Sequence, residues 1–305
     1  MYSRLKNLFF IGCLCTSTAC LSAQTSYPIT VTDASQHPLT LTTMPTQVDS
    51  KSMFSDQVLM ALLPLKNITS LSRLSKDPTY SIMADKIPET LPLRDLNVER
   101  IIAERPDLVL VASWSDGPKI AQLRAAGINV FVIKTVYSLK NIEQNILLVG
   151  KLVNKNAAAM AVVDKMNAKL KQQVIIPQHK LTAIEYTPWG ASSNHNSTIN
   201  TIISHAQLNN VIANTNGDKF GQVPIAKEQL LALNPDVIII PGENNNGFKQ
   251  QLLHDPALQT LTAIRERRVI SLPHSLRSTD SQYIADAIIY LNHKVYQSHV
   301  HPSIH

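Results

Sequence analysis

Cysteine is nearly missing from this 305-residue chain: Cys13, Cys15 and Cys20 all lie close to the N-terminus. A chain processed beyond them has no disulfide, no thiolate metal site and no cysteine nucleophile. Glycine is scarce as well, at nine residues. No GxGxxG follows a strand pattern and no GxxxxGK[ST] occurs, which argues against phosphate-cradling loops. Neither GxSxG nor HExxH is present, so two common hydrolase signatures are missing. Formal net charge is +6, but lysine and arginine are scattered. Without a basic run or a basic stripe interleaved with aromatics, a nucleic-acid partner is not expected. Beyond the N-terminal segment no apolar run is long enough for a membrane-spanning helix.

What is present begins with an export address. Arg4 and Lys6 precede a short apolar run at 8–15, and small residues follow as far as Ala23. This is the layout of a signal peptide over residues 1–23, cut after Ala23 with Leu21 and Ala23 at the recognition positions. The alternative is lipoprotein processing at Cys20, after Ser17, Thr18 and Ala19. Either route places the mature chain in the periplasm or tethered outside the membrane.

Hydrophobic residues at 44% and charged residues at 16% describe a core-forming chain. Alternating strands at 29–32 and 39–42 flank a turn, and strand and helix patterns then alternate. The clearest unit is DLVLVA at 107–112, a helix at 119–126, Gly127, and a strand at 129–133. Such βαβ order predicts an α/β fold with parallel sheets. Residues 138–174 read as a long helical stretch with a break near 154–156, ended by Pro177. Strands at 181–186, 236–240 and 269–272 then alternate with helices at 198–203, 227–233, 249–261 and 283–296. A weak repeat links NVERIIAERPDLVLV at 97–111 with AKEQLLALNPDVIII at 226–240. Both copies read helix, Pro-Asp, buried strand, on opposite sides of the long helical stretch. The expected organisation is an N-terminal lobe at 24–137, a linking backbone helix at 138–174, and a C-terminal lobe at 175–305.

Ligands of open α/β sheets bind beyond the carboxyl ends of the strands. That rule selects Met53, Phe54, Arg73, Trp114 and Tyr137 in the first lobe, and Trp189, His195 and Arg277 in the second. The two tryptophans fall one per lobe; they suit a partly wet cleft wall, or they cover the core edge. Arg73, Arg94 and Arg277 could grip anionic groups of a ligand, or stand as solvated surface arginines. Glu99 and Glu228 each start a helix, where the helix dipole alone accounts for an acid; each also offers one carboxylate per lobe to a partner. For an enzyme using the same cleft, Asp116, His195 and His274 are the candidate acid–base groups, in no familiar spacing. His299, His301 and His305 crowd the C-terminal tail, as an incidental cluster or a weak metal site.

The chain resembles the periplasmic binding proteins of iron-siderophore, haem and cobalamin importers, the helical-backbone metal receptors. The likeness runs through the leading hairpin ITVTDASQHPLTLTTMPTQV, then LNVERIIAERPDLVLVASW and LRAAGINVFVI. It continues through LVGKLVNKNAAAMAVV, VPIAKEQLLALNPDVIIIPG and DPALQTLTAIRERRVISLP. The order and spacing of these segments carry it, not any one motif. The resemblance implies two Rossmann-like lobes joined by a long backbone helix, with little closure on binding. It implies that Glu99 and Glu228 dock on an ABC permease that works with its ATPase. It places Trp114 where cobalamin binders set a cleft tryptophan, and Arg94 close to a ligand-contacting arginine of hydroxamate-siderophore binders. The first pocket loop, SMFSDQ at 52–57, departs from the family's Ser-Pro-rich pattern. LPLR at 91–94 lacks the tyrosine common in haem binders. The expectation is a monomeric, non-enzymatic carrier of a metal chelate. A ferric siderophore comes first, then cobalamin or haem. The metal arrives in the ligand, with no cofactor and no protein metal site.

Overall fold

In the computed structural model, residues 26–242 and 247–297 are described; the N-terminal leader, Asn244–Asn246 and the C-terminal histidines lie outside them. A hairpin of β1 (Ile29–Thr32) and β2 (Pro38–Leu41) leads the chain. Asp33 in its turn fastens it to the first lobe. One carboxylate oxygen accepts from Ser35 N at 2.8 Å and His37 N at 3.0 Å; the other accepts from Val132 N at 3.0 Å and from Arg124.

The first lobe comprises β3 (Val48–Ser50), α1 (Met53–Leu62), β4 (Ile68–Ser70), α2 (Val98–Glu104), β5 (Leu108–Ala112), α3 (Gly117–Ala125) and β6 (Val130–Ile133). Its parallel sheet runs β4-β3-β5-β6. Two helices follow, α4 (Leu139–Leu152) and α5 (Asn156–Gln173). The second lobe holds β7 (Thr182–Glu185), β8 (Ala191–Ser193), α6 (Thr198–His205), β9 (Asn209–Asn210), β10 (Gln222–Pro224), α7 (Lys227–Leu233) and β11 (Val237–Pro241). It continues with α8 (Gly247–His254), α9 (Thr262–Arg265), β12 (Val269–Leu272), α10 (His274–Arg277) and α11 (Ile284–Tyr296). Its parallel sheet runs β12-β11-β7-β9, the same order as the first when the strands are matched in sequence.

The repeat seen in the sequence has a structural cause. Asp107 accepts hydrogen bonds from Thr46 N at 2.7 Å and Thr46 Oγ1 at 2.8 Å. Asp236 accepts the same pair from Thr182, at 2.8 and 2.7 Å. Each Pro-Asp therefore clamps its strand to the neighbouring one at the sheet's amino end. The helix before it ends in both lobes on a left-handed residue, Arg105 (φ 46°) and Asn234 (φ 39°).

Both faces of the central strands are covered, so β5 and β11 are continuous apolar runs rather than alternating ones. Leu108, Leu110, Val237 and Ile239 turn inward to one core shared by both lobes through α1, α4, α5, α6 and α11. Val109, Val111, Ile238 and Ile240 pack outward under separate outer helices.

The stretch expected as one linking helix is two. It breaks at Val153–Lys155, with Asn154 left-handed at φ 54°, close to the expected position. The chain then reverses, which the periodicity did not show. Asn167 Nδ2 donates to Glu143 Oε1 at 2.7 Å. A continuous helix would hold those residues ~36 Å apart at 1.5 Å per residue. Gly150 permits the reversal: a Cβ there would lie 2.3 Å from Ala159 Cβ. Of the pair, α5 spans the lobes, packing against α1 of the first and α11 of the second. Side chains add a direct tie, since buried Gln57 accepts from Ser281 and its carbonyl accepts from Gln282 Nε2 at 2.9 Å. Among the described residues no helix is long and apolar enough to cross a membrane.

Candidate functional site

At the carboxyl ends of β3, β5 and β6 the chain leaves two adjoining cavities of about 210 and 420 Å³, which share Ser52, Met53 and Trp114 in their walls. The smaller is closed by Phe54, the Ser113–Thr135 hydroxyl pair and Lys134 from the first lobe, and by Ser278 and Asp280 from the second. It is therefore an interlobe cleft. The larger opens along Arg73, Arg94, Asp95 and Asp116.

Trp114 stands two residues beyond the end of β5, and its indole is 71% exposed between the two cavities. A large aromatic held so far out of a core offers a stacking surface rather than packing. Met53 starts α1, whose N-terminus is capped by Ser52 Oγ accepting from Ser55 N at 3.2 Å. Behind it, buried Asp56 accepts from the hydroxyls of Ser72 and Ser75 and so fixes the loop that carries Arg73. Burial pushes the Asp56 carboxyl above the usual range, against the pull of those hydrogen bonds. Lys51, in the wall of the larger cavity, is buried and bonded to Asp49 at 2.7 Å and Ser70 Oγ at 2.6 Å.

The charges of the larger cavity are paired. Arg73 pairs with Asp95 at 2.6 Å, Arg94 with Glu104, and Lys51 with Asp49. Asp116 caps α3 by accepting from Lys119 N at 3.2 Å. Asp280 adds an acid that the sequence reading overlooked. It sits in the polar loop RSTDSQ after β12, where no periodicity marks a wall residue. Burial pushes its carboxyl up to about 6, against a hydrogen bond from its own backbone N–H.

The expected residues divide into two groups. Met53, Phe54, Arg73, Arg94 and Trp114 line the cleft. Tyr137, Trp189, His195 and Arg277 are not in the walls of either cavity. Tyr137 spends its carbonyl on Thr201 Oγ1 at 2.7 Å, tying the lobes. His195 donates Nδ1–H to Ala213 O at 2.8 Å on the surface. Arg277 Nε meets the buried carboxylate of Glu185 at 2.5 Å, so it neutralises a core acid rather than facing the cleft. Trp189 lies at the end of an antiparallel β8–β10 ribbon that the sequence reading did not identify. Gly190 O accepts from Ile225 N at 2.8 Å, which sets Trp189 beside the start of α7, 65% exposed.

Glu99 and Glu228 are exposed in the first turns of α2 and α7. The acid–base candidates do not converge: Asp116 lines the larger cavity, whereas neither His195 nor His274 lines either one. His274 instead packs its ring 6.0 Å from Tyr80 of the other lobe. Among the described residues no three His, Cys, Asp or Glu side chains gather as a metal-ligand set.

The chain is similar over most of its length to known proteins. It is 23% identical over 286 residues to an uncharacterized ABC transporter substrate-binding lipoprotein, YvrC, of Bacillus subtilis, covering 88% of this chain and 86% of that one. It is 24% identical over 218 residues to a cobalamin-binding protein of Halobacterium salinarum, covering 70% of this chain and 58% of that relative. Its fold matches a possible iron-binding (periplasmic solute-binding) protein of Staphylococcus epidermidis with a TM-score of 0.72, at 18% identity, over 83% of this chain and all of that one. Helicobacter pylori CeuE with Ni(II) bound gives a TM-score of 0.70, at 18% identity, over 88% and 89% of the two chains. The profile described as periplasmic binding protein matches residues 51–276, which hold the second parallel sheet, all of the first except β3, and every cleft-lining side chain except Asp280 and Ser278. With two similar lobes, a cleft between them and this match over most of its length, the chain belongs to the periplasmic binding protein family.

Proposed function

We propose that this protein captures a metal chelate in the interlobe cleft and hands it to the permease of an ABC importer. The observation that supports this best is Trp114, an exposed indole set between two cavities, the smaller walled by both lobes and the larger by the first lobe. A chelate brings its metal already coordinated and needs a stacking surface and polar contacts rather than protein ligands. The internal pairing of the cleft arginines favours a chelate of low net charge. A strongly anionic ligand would have to displace Asp95 and Glu104 from their arginines. A ferric hydroxamate siderophore fits this balance; a corrinoid is the second candidate, supported by the name of the Halobacterium relative. Glu99 and Glu228 supply one exposed carboxylate per lobe for docking on cationic groups of the permease. Export by residues 1–23, with lipid attachment at Cys20 as the alternative, would place the protein where such a permease meets it.

The test is a titration of the mature protein with ferric hydroxamates, ferric catecholates, cobalamin and haem, read by tryptophan fluorescence and thermal shift. Saturable quenching with one low-charge chelate is the expected result. No quenching and no thermal shift across the panel would remove the reading.

A further inference from the structure

A separate cavity of about 580 Å³ lies in the C-terminal lobe, away from the cleft, with polar walls made by Lys249, His254, Gln259, Arg265 and Arg267. Arg265 ends α9, and Arg267 lies between it and the first residue of β12, so the cavity sits at the amino end of that sheet. The cleft residues Ser278 and Asp280 come after the carboxyl end of the same strand. The strand's four residues alone separate the two ends by ~13 Å.

No acidic side chain lines this cavity among the described residues. The nearby carboxylates are engaged elsewhere: Asp255 with Lys227 at 2.5 Å and Glu266 with Arg268 at 3.6 Å. The negative end of α8 is masked as well. Gln259 Nε2 donates to Leu253 O at 3.0 Å and Asp255 O at 2.9 Å. His254 donates Nδ1–H to Gln250 O at 2.9 Å, which covers a further carbonyl of that helix. Burial, and then the charge of Lys294, hold the Lys249 ammonium below its ordinary range. Arg265 and Arg267 flank the opening as exposed side chains, each able to present paired N–H donors.

We propose that this cavity is an anion site for a phosphate-type group, distinct from the chelate cleft and independent of what the cleft carries. The group belongs either to a free phosphate or diphosphate or to the headgroup of an anionic phospholipid.

The mature chain is titrated at low ionic strength with inorganic phosphate and with pyrophosphate by calorimetry, and co-sedimented with vesicles of phosphatidylglycerol or phosphatidylcholine. Saturable one-to-one binding of phosphate or pyrophosphate identifies a free anion as the ligand. Sedimentation with phosphatidylglycerol vesicles alone identifies the lipid. In either case the Arg265→Gln/Arg267→Gln double variant should bind about tenfold more weakly or worse, as charged hydrogen bonds are lost. A Lys171→Gln/Lys180→Gln control, which removes equal charge from exposed sites elsewhere, should bind as the parent does. Absence of binding to every probe overturns the proposal. So does binding that the arginine variant retains, or that the lysine control loses equally. Chelate quenching at Trp114 should be unchanged in the arginine variant, which separates failure here from failure of the cleft reading.

Discussion

Replacing Asp280 with asparagine keeps the side chain's shape and removes its ionisation. The carboxyl rises from an ordinary 3.8 to about 6 in the folded protein, because burial in the cleft wall disfavours the charged form. Between those values the native state holds a proton that the unfolded chain has released. Wild-type stability from this group is therefore present below pH 4 and is lost as pH rises to about 6. The span of about 2 units corresponds to ~3 kcal/mol at 1.36 kcal/mol per unit. That is an upper figure, since the side chain is only half-buried. Asp280→Asn should match wild type below pH 4 and exceed it by up to ~3 kcal/mol at pH 7.5. In thermal unfolding this is a rise of up to ~5 °C for a chain of this length. Paired melts of the two proteins from pH 3.5 to 8 isolate the group, because Asp33 and Asp107, whose carboxyls lie below the usual range, act equally on both. Parallel profiles, or a variant less stable at pH 7.5, would refute the reasoning.

Gly150→Ala places a helix-favouring residue in a helix, yet it should destabilise by about 1–3 kcal/mol by forcing α4 from α5; a higher melting temperature would contradict the close approach. Trp114→Ala should weaken chelate binding about tenfold or more and abolish most quenching, whereas Trp189→Ala should leave affinity unchanged; titration of both variants checks this. Glu99→Lys with Glu228→Lys should abolish uptake in cells while leaving chelate affinity intact, since both acids stand outside the cleft walls.

The sheets were readable because β5 and β11 are buried on both faces and appear as unbroken apolar runs. The Pro-Asp repeat was readable because its aspartates perform one task twice, on Thr46 and Thr182. The helical reversal was not, since a hydrophobic period describes each helix and not the angle between them. Arg277 and Trp189 lie outside the walls of both cavities for a related reason. Strand-end position selects a loop, but it does not tell whether a side chain turns toward a core acid such as Glu185 or onto a neighbouring ribbon. Asp280 was missed because an acid in a polar loop looks like any solvated residue until the other lobe closes over it.

Native mass spectrometry of the protein isolated from its own host tests the central claim most directly. The account predicts one intact metal chelate per chain, recovered chemically unchanged and released on unfolding. A chain free of chelate that also ignores the whole panel in solution, or a bound molecule recovered as a reaction product, would contradict it.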